Sequence, residues 1–144
     1  MKEYSEPRMH TAEHLLNQTM VRLFGCGRAF SSHIEKKRSK CDYRFTRDLT
    51  AEEKAELEKR VNDLVGADLP VREDFVSKTE AAGKFDLGRL PEGTGDRLRI
   101  IVIGDYDACP CIGPHVGSTG AIGVVKVVSS SFENGVLRVR FKLV

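Results

Sequence analysis

The sequence predicts an α+β fold in which helices pack against a largely antiparallel sheet. Two long segments carry apolar residues at helical spacing, and about six shorter apolar segments are joined mostly by hairpin-type turns. Amphipathic helices and hairpins of this kind bury their apolar faces against one another. The chain has 144 residues, 40% of them hydrophobic, which is enough for one sizeable core, so we expect one domain over residues 1–144.

The first predicted helix covers residues 7–24, and two glycines follow it. Its apolar stripe recurs at spacings of three and four and consists of Ala12, Leu16, Met20 and Leu23. His10 and His14 border that stripe and, being four residues apart, lie on one face of the helix. Two imidazoles on one face, where a core-facing helix meets a cleft, suit a partly buried metal ion.

A basic hairpin is predicted over residues 28–45, with strands at residues 29–34 and 41–45. Six cations and two acids occupy residues 35–47. This charge leaves two interpretations open, a solvated turn or a contact with nucleic-acid phosphates. The candidate phosphate contacts are Lys36, Lys37, Arg38 and Lys40.

The middle of the chain is predicted to be structural. Thr50 and Glu53 have the spacing of a capping box, and the helix that they start should end near Gly66. The apolar stripe of this helix consists of Leu57, Val61, Leu64 and Val65. Three further elements are predicted after it, a strand at residues 69–78, a short helix at residues 79–85 and a loop rich in glycine and proline at residues 88–96.

Three apolar strands are predicted in the last third of the chain, at residues 98–103, 122–128 and 136–141. The last two should form a hairpin, because Glu133-Asn134-Gly135 between them is a typical turn. Apolar and basic residues alternate in the final strand, so one of its faces should be buried and the other basic.

A loop carrying Cys111 and His115 follows the predicted strand at residues 98–103, which would hold it rigidly. Three of the four histidines in the chain lie in this loop and the helical pair, so we expect the fold to join the two motifs. Two histidines from a helix with a cysteine and a histidine from a loop form a mixed nitrogen and sulfur set that Zn²⁺ accepts. Cys109, two residues before Cys111, is an alternative ligand.

Composition limits the cellular compartments and the binding partners that are compatible with the sequence. The formal charge of +2 and the pI near 8.4 are only mildly basic, so a nucleic-acid contact requires a local patch. Four cysteines in a chain of this length are too few for a secreted disulfide scaffold. The first residues lack the apolar segment of a signal peptide, and no apolar run approaches the length of a membrane span. We therefore expect a cytoplasmic protein with reduced cysteines.

Motifs at the head, middle and tail of the chain carry a resemblance to a known family. They are His10-Thr11-Ala12-Glu13-His14-Leu15-Leu16, Thr50-Ala51-Glu52-Glu53, Val61-Asn62, Pro70-Val71, Asp107-Ala108-Cys109-Pro110-Cys111-Ile112-Gly113-Pro114-His115-Val116 and Thr119-Gly120-Ala121-Ile122-Gly123. With them the chain resembles the second additional domain shared by alanyl- and threonyl-tRNA synthetases and by the free-standing AlaX-type editing proteins. Pro114 resembles the threonyl variant of the loop, where the alanyl type usually has threonine.

The resemblance implies a zinc-dependent hydrolytic site that removes a wrongly attached amino acid from tRNA, with His10, His14, Cys111 and His115 as its residues. The segment at residues 119–123 and the closing hairpin favour alanine tRNA charged with serine or glycine. The chain has no room for an ATP-using aminoacylation domain, so the resemblance implies an editor acting in trans, without a membrane partner or a nucleotide cofactor. The polar groups that we place nearest the amino acid are Ser31, Ser32 and His33, for which an exposed strand end is the alternative interpretation.

Two other functions are compatible with the same residues. His10, Glu13 and His14 also match the inverted zinc-peptidase motif, in which the glutamate is a general base, although those enzymes are much larger chains. A non-enzymatic alternative is a tRNA-binding module that zinc stabilises. The role of zinc stays open as well, because four protein ligands close a tetrahedron whereas a catalytic zinc needs an open position.

Overall fold

The computed structural model describes residues 6–77, 79–80 and 97–144 of the chain. Within these residues every strand pairing is antiparallel, and the predicted α+β class is confirmed. The two long helices are α1 (Pro7–Phe24) and α2 (Ala51–Gly66). The strands are β1 (Ser31–His33), β2 (Ser39–Arg44), β3 (Val71–Ser77), β4 (Arg97–Ile103), β5 (Asp107–Pro110), β6 (Val125–Glu133) and β7 (Val136–Leu143).

Helix α1 has both of its ends fixed by local chemistry. Glu6 accepts a hydrogen bond from the backbone N–H of Arg8 at 3.2 Å, and Pro7 lies in the first turn, where a backbone N–H has no helical partner. Gly25 ends the helix in the left-handed conformation at φ 66°, and its N–H donates to the Val21 carbonyl at 2.9 Å. The observed bounds are the predicted ones.

Helix α2 begins with the predicted capping box. The Thr50 hydroxyl accepts from the Glu53 N–H at 3.1 Å, and the Glu53 carboxylate accepts from the Thr50 N–H at 2.9 Å. The helix covers the free edge of β6, because the Asn62 side chain donates to the Val125 carbonyl and accepts from the Val125 N–H, each at 2.8 Å. Asn62 thus takes the place that the backbone of a neighbouring strand would occupy.

A four-stranded sheet has the order β1-β2-β7-β6. Leu137, Val139 and Phe141 of β7 are fully buried, so the predicted alternation of a buried and a basic face is confirmed. The turn before β7 has positive φ at Asn134 and Gly135, 52° and 78°, as expected for this type of hairpin. Strand β6 differs from the prediction, because a 3-10 turn at Thr119–Ala121 delays its start to residue 125.

A three-stranded sheet has the order β3-β4-β5, and β5 corrects the sequence analysis. Residues 107–110 were expected to belong to a loop, but they pair antiparallel with residues 100–103 of β4. Gly104, at φ 51°, permits the tight turn that returns the chain beside β4. Pro110 is tolerated because it ends an edge strand, where a missing N–H is not needed by a neighbour.

Two predicted elements fall largely outside the described residues. They are the loop at residues 88–96 and all but the first two residues of the short helix at residues 79–85; residue 78, the end of the strand predicted at residues 69–78, is also outside. Across the described ranges, no helix has the length and apolarity needed to cross a membrane.

The principal core lies between the two helices and the inner face of the four-stranded sheet. It also receives Ile101 and Ile103 from β4, which ties the smaller sheet to the same interior. Helix α1 touches β5, so the histidine pair on α1 lies beside the loop that leaves the end of β5. This contact positions the candidate site.

Candidate metal centre

Four side chains from distant parts of the sequence meet at one point, and they are His10, His14, Cys111 and His115. Their ligand atoms all lie within 4.8 Å of one another. The sulfur of Cys111 is 3.5 Å from Nε2 of His10 and 3.4 Å from Nε2 of His115. Tetrahedral zinc with its usual bond lengths to nitrogen and sulfur separates such atoms by roughly 3.5 Å. The donor set and its dimensions therefore fit Zn²⁺, although the structure does not identify a metal.

The two histidines of α1 are held by the helix itself. Spacing of four residues stacks them along one face, with ring centroids 5.3 Å apart and ring planes at 81°. The His10 and His14 residues are only 4% and 3% exposed. Their donor atoms are thus fixed at the edge of the core.

The loop after β5 is fixed by Arg99 of β4. Its guanidinium donates to the carbonyls of Cys111 and Gly113 at 3.2 and 2.7 Å, and the Arg99 carbonyl accepts from the Cys111 N–H at 3.1 Å. The Gly113 N–H also points at the Cys111 sulfur, 3.4 Å away. A loop with this many contacts presents its sulfur in one position.

Hydrogen bonds to Nδ1 select the histidine tautomers. Nδ1 of His10 lies 3.3 Å from the Pro114 carbonyl, which can only accept, so Nδ1 carries the proton. The Thr11 hydroxyl donates to the Pro7 carbonyl at 3.0 Å and therefore accepts from Nδ1 of His115 at 2.8 Å. Both rings then present the lone pair of Nε2 to the cluster, as metal-binding histidines do.

His14 has a charged partner behind it. Its Nδ1 is 3.7 Å from the carboxylate of Asp107, an ion-pair distance that is too long for a hydrogen bond. Asp107 is itself held by Arg28 at 2.8 Å and by Gln18 at 3.0 Å. Burial opposes the charged form of His14, but Asp107 and Cys111 favour it, and the pKa of His14 lies well above 6.5.

The charge state of the centre suits metal binding. Burial acts to raise the pKa of Cys111, but the neighbouring imidazoles of His10, His115 and His14 outweigh it and lower the pKa to about 3. Burial lowers the pKa of His115 to about 4, against the hydrogen bond with Cys111. At neutral pH the centre therefore offers a thiolate and at least one neutral imidazole, the forms that bind zinc.

Glu13 contributes a carboxylate that the sequence analysis weighed only in the peptidase alternative. It is 5% exposed, and its Oε1 lies 3.9 Å from Nε2 of both His10 and His14. Its Oε2 accepts from Asn17 at 2.7 Å and from Ser32 at 3.0 Å. The helical spacing of Glu13 to His10 and Asn17 is a signal that could have indicated this contact.

The three residues predicted to lie nearest the amino acid are not equivalent. Ser32 donates a hydrogen bond to Glu13, which lies beside the centre. Ser31 and His33 lie on the opposite, exposed side of β1. His33 forms an ion pair with Glu35 on that side. A substrate contact by Ser31, Ser32 or His33 stays a prediction, and Ser32 is the member that the fold places beside the centre.

The predicted phosphate contacts are accessible. Lys36, Lys37 and Arg38 are exposed in the loop between β1 and β2, and Lys40 is half-buried on β2. Their contact with tRNA stays a prediction.

Cys109 is not a member of the four-residue group formed among the described residues. Burial raises the pKa of its thiol, which disfavours the thiolate that a metal requires.

The fold and the four-residue group define an α+β protein with a buried candidate metal centre. Residues 98–139, which include Cys111 and His115, match the family described as the threonyl and alanyl tRNA synthetase second additional domain. The chain is also similar to alanine–tRNA ligases. It is 36% identical over 144 residues to that of Halorubrum lacusprofundi, 32% over 141 residues to that of Fervidobacterium nodosum and 33% over 145 residues to that of Aeropyrum pernix.

These matches cover 92%, 96% and 97% of the chain, respectively. These comparisons confirm the resemblance drawn from the motifs, to the second additional domain shared by threonyl and alanyl tRNA synthetases. The chain spans about 15% of the length of these relatives. The family model and these relatives are all named for tRNA.

Proposed function

We propose that the chain is a zinc-dependent deacylase that hydrolyses mischarged tRNA in trans, with serine- or glycine-charged alanine tRNA as its substrate. The observation that carries this proposal is the convergence of three imidazoles and a thiolate beside a buried carboxylate. Zinc binding, the reaction and the substrate are all part of the proposal.

The residues of the centre have separate roles in this account. His10, His14, Cys111 and His115 would hold Zn²⁺, which when bound would supply Lewis-acid chemistry for attack on an ester. Glu13, with Oε1 3.9 Å from two of the ligand nitrogens, accepts a hydrogen bond from the attacking water. The hydrogen bonds to its Oε2 keep the carboxylate in that orientation.

Ser32 gives the site a polar group for discrimination among amino acids. Its hydroxyl reaches Glu13 at 3.0 Å and lies on the half-buried side of β1. A site that hydrogen-bonds a substrate hydroxyl rejects an analogue without one strongly, whereas an apolar pocket discriminates weakly. We therefore assign Ser32, rather than Ser31 or His33, to the contact with a serine side chain.

A deacylation panel tests the proposal. The purified chain is incubated with alanine and threonine tRNAs charged with serine, glycine, threonine or the cognate amino acid, before and after zinc removal and after zinc is restored. We expect rapid loss of serine from alanine tRNA, slower loss of glycine, which lacks the hydroxyl, retention of alanine, and dependence on zinc.

Two parallel assays separate the alternatives. A peptidase would cleave a casein-type peptide, and a tRNA-binding module would bind uncharged tRNA without deacylating any ester. Peptide cleavage without deacylation, or binding without deacylation across the whole panel, would contradict the proposal.

A further inference from the structure

One end of the four-stranded sheet carries a cluster of cations on its outer face, and the site described above does not use it. The cluster consists of Lys40, Lys126, Arg140 and Lys142, and we name it the basic sheet end. These residues alternate with buried neighbours on β2, β6 and β7, so all four belong to the face that points away from the helices.

The pairing register places like charges directly opposite each other. Lys40 pairs with Arg140 across β2 and β7, and Lys126 pairs with Lys142 across β6 and β7. Directly opposite side chains in an antiparallel pair are about 5 Å apart at Cβ, and like charges there destabilise the sheet. Two such pairs side by side should lower the free energy of unfolding, and oppositely charged or neutral residues at these positions would avoid that loss.

The neighbouring row shows what such an alternative looks like. Asp42 lies opposite Arg138, and the two form a bidentate ion pair at 2.8 and 2.9 Å. At the basic sheet end, the described residues place no carboxylate oxygen within 4.0 Å of Lys40, Arg140 or Lys142. Lys126 has only a distant partner, Glu58 at 4.0 Å.

Two further contacts shape the surface. Arg140 is held in the plane of the face by Ser129 and Ser131, at 3.3 and 3.2 Å. The exposed loop with Lys36, Lys37 and Arg38 enters β2 at this end, because Ser39 pairs with Phe141. Three exposed cations of this loop thus directly precede the basic sheet end in the chain.

We propose that the basic sheet end binds the phosphate backbone of RNA and extends the tRNA contact beyond the loop at residues 36–38. A nucleic-acid strand carries one charge per about 3.4 Å of its axis, so several phosphates can pair with closely spaced cations at once. The net charge of only +2 shows that this basicity is local. The choice of tRNA as the RNA rests on the proposed function.

A triple variant tests this surface, with K126Q, R140Q and K142Q combined. The matched control combines K54Q, K59Q and R60Q on α2, which removes the same three charges from the helix layer. Affinity for uncharged tRNA is measured as a function of salt. We expect weaker binding by the triple variant and a salt dependence lower by roughly two to three, at about 0.7 to 0.9 per lost contact, with the control close to the parent protein.

Thermal unfolding supplies an independent readout. Because the variant removes like-charge pairs, its Tm should equal or exceed that of the parent protein while tRNA binding weakens. Hydrolysis of a seryl ester of adenosine, which is too small to reach the sheet, should be unchanged.

Parental affinity and salt dependence in the triple variant would overturn the proposal. So would loss of binding to vesicles of anionic lipid with tRNA binding intact, because that result would assign the surface to a membrane. If the parent protein hydrolyses no charged tRNA, the proposed function fails, and the binding comparison with uncharged tRNA still decides the role of this surface.

Discussion

The hydroxyl of Thr11 illustrates how a single side chain prepares the centre. It donates to a backbone carbonyl of its own helix and therefore can only accept from His115, which fixes the proton on Nδ1. The Pro114 carbonyl does the same for His10. Metal affinity commonly falls 10- to 100-fold when such hydrogen-bond partners are removed. Thr11 and Pro114 should therefore influence metal affinity although neither of them is a ligand.

Glu13→Gln tests the carboxylate. Glutamine retains the size of the side chain and can still bond to Asn17 and Ser32, but it is a poorer acceptor for water. We expect zinc content to stay at the parental level and deacylation to fall by about 10² to 10⁴. Glu6→Gln makes the same chemical change at the N-cap of the same helix and should leave the deacylation rate unchanged. Parental activity in the Glu13→Gln protein would show that the carboxylate does not take part in the hydrolysis.

The raised pKa of His14 predicts how zinc affinity depends on pH. Burial opposes the charged ring, but Asp107 and Cys111 outweigh it and raise the pKa of His14, and below that pKa zinc must displace a proton from the ring. Cys111, with a pKa of about 3, is already a thiolate and adds no pH dependence in this range. Zinc affinity should therefore rise about tenfold per pH unit until the pH passes the pKa of His14. Competition titrations with a chelator measure this, and a flat profile from pH 6 to 8 would contradict it.

At the scale of elements, α2 supports the sheet through side chains that bond to strand backbone. Asn62 satisfies both the N–H and the carbonyl of Val125, a residue only 1% exposed. Asn62→Ala leaves both groups unpaired, and we expect the free energy of unfolding to fall by about 2 kcal/mol. Chemical denaturation measures the loss.

The neighbouring Asp63→Ala is the matched control. Its ion pair with Lys59 is exposed on both sides, so its loss should change the free energy of unfolding far less than the loss of Asn62 does. Equal losses for the two variants would show that Asn62 does not support β6 through these hydrogen bonds.

Local signals explain which elements the sequence predicts well. Gly25 ends α1, and Thr50 with Glu53 starts α2, because each acts on backbone groups within a few residues. Strand β5 was missed because its evidence is non-local: Cys109 becomes part of a strand only through its pairing with Ile101. A proline at its end also resembles a loop signal.

The candidate centre follows the same rule. The four candidate ligands and their two motifs can be read from the sequence, whereas their convergence depends on the contact between α1 and the loop after β5. The approach of Glu13 to two histidines and the like-charge pairs at the basic sheet end depend on burial and strand register, which no short motif encodes.

Across the whole molecule, the residues proposed to contact RNA differ from those proposed to carry out the hydrolysis. The loop variant with Lys36, Lys37, Arg38 and Lys40 all changed to glutamine should bind tRNA more weakly, with a salt dependence lower by about 0.7 to 0.9 for each lost phosphate contact. Because Lys36, Lys37 and Arg38 are exposed and none of the four residues belongs to the ligand group, the rate at saturating charged tRNA should be unchanged. An unaltered salt dependence of tRNA binding would show that these residues form a solvated turn without phosphate contacts.

The central claim, a catalytic zinc held by the four-residue group, is tested most directly by the deacylation rate of Cys111→Ala on serine-charged alanine tRNA. The thiolate lies within 3.5 Å of two ligand nitrogens, so its loss should remove zinc and activity together. The core consists of buried apolar side chains from both helices and both sheets, so circular dichroism and tRNA binding should stay near parental values. A variant that loses zinc yet deacylates at the parental rate would contradict the account.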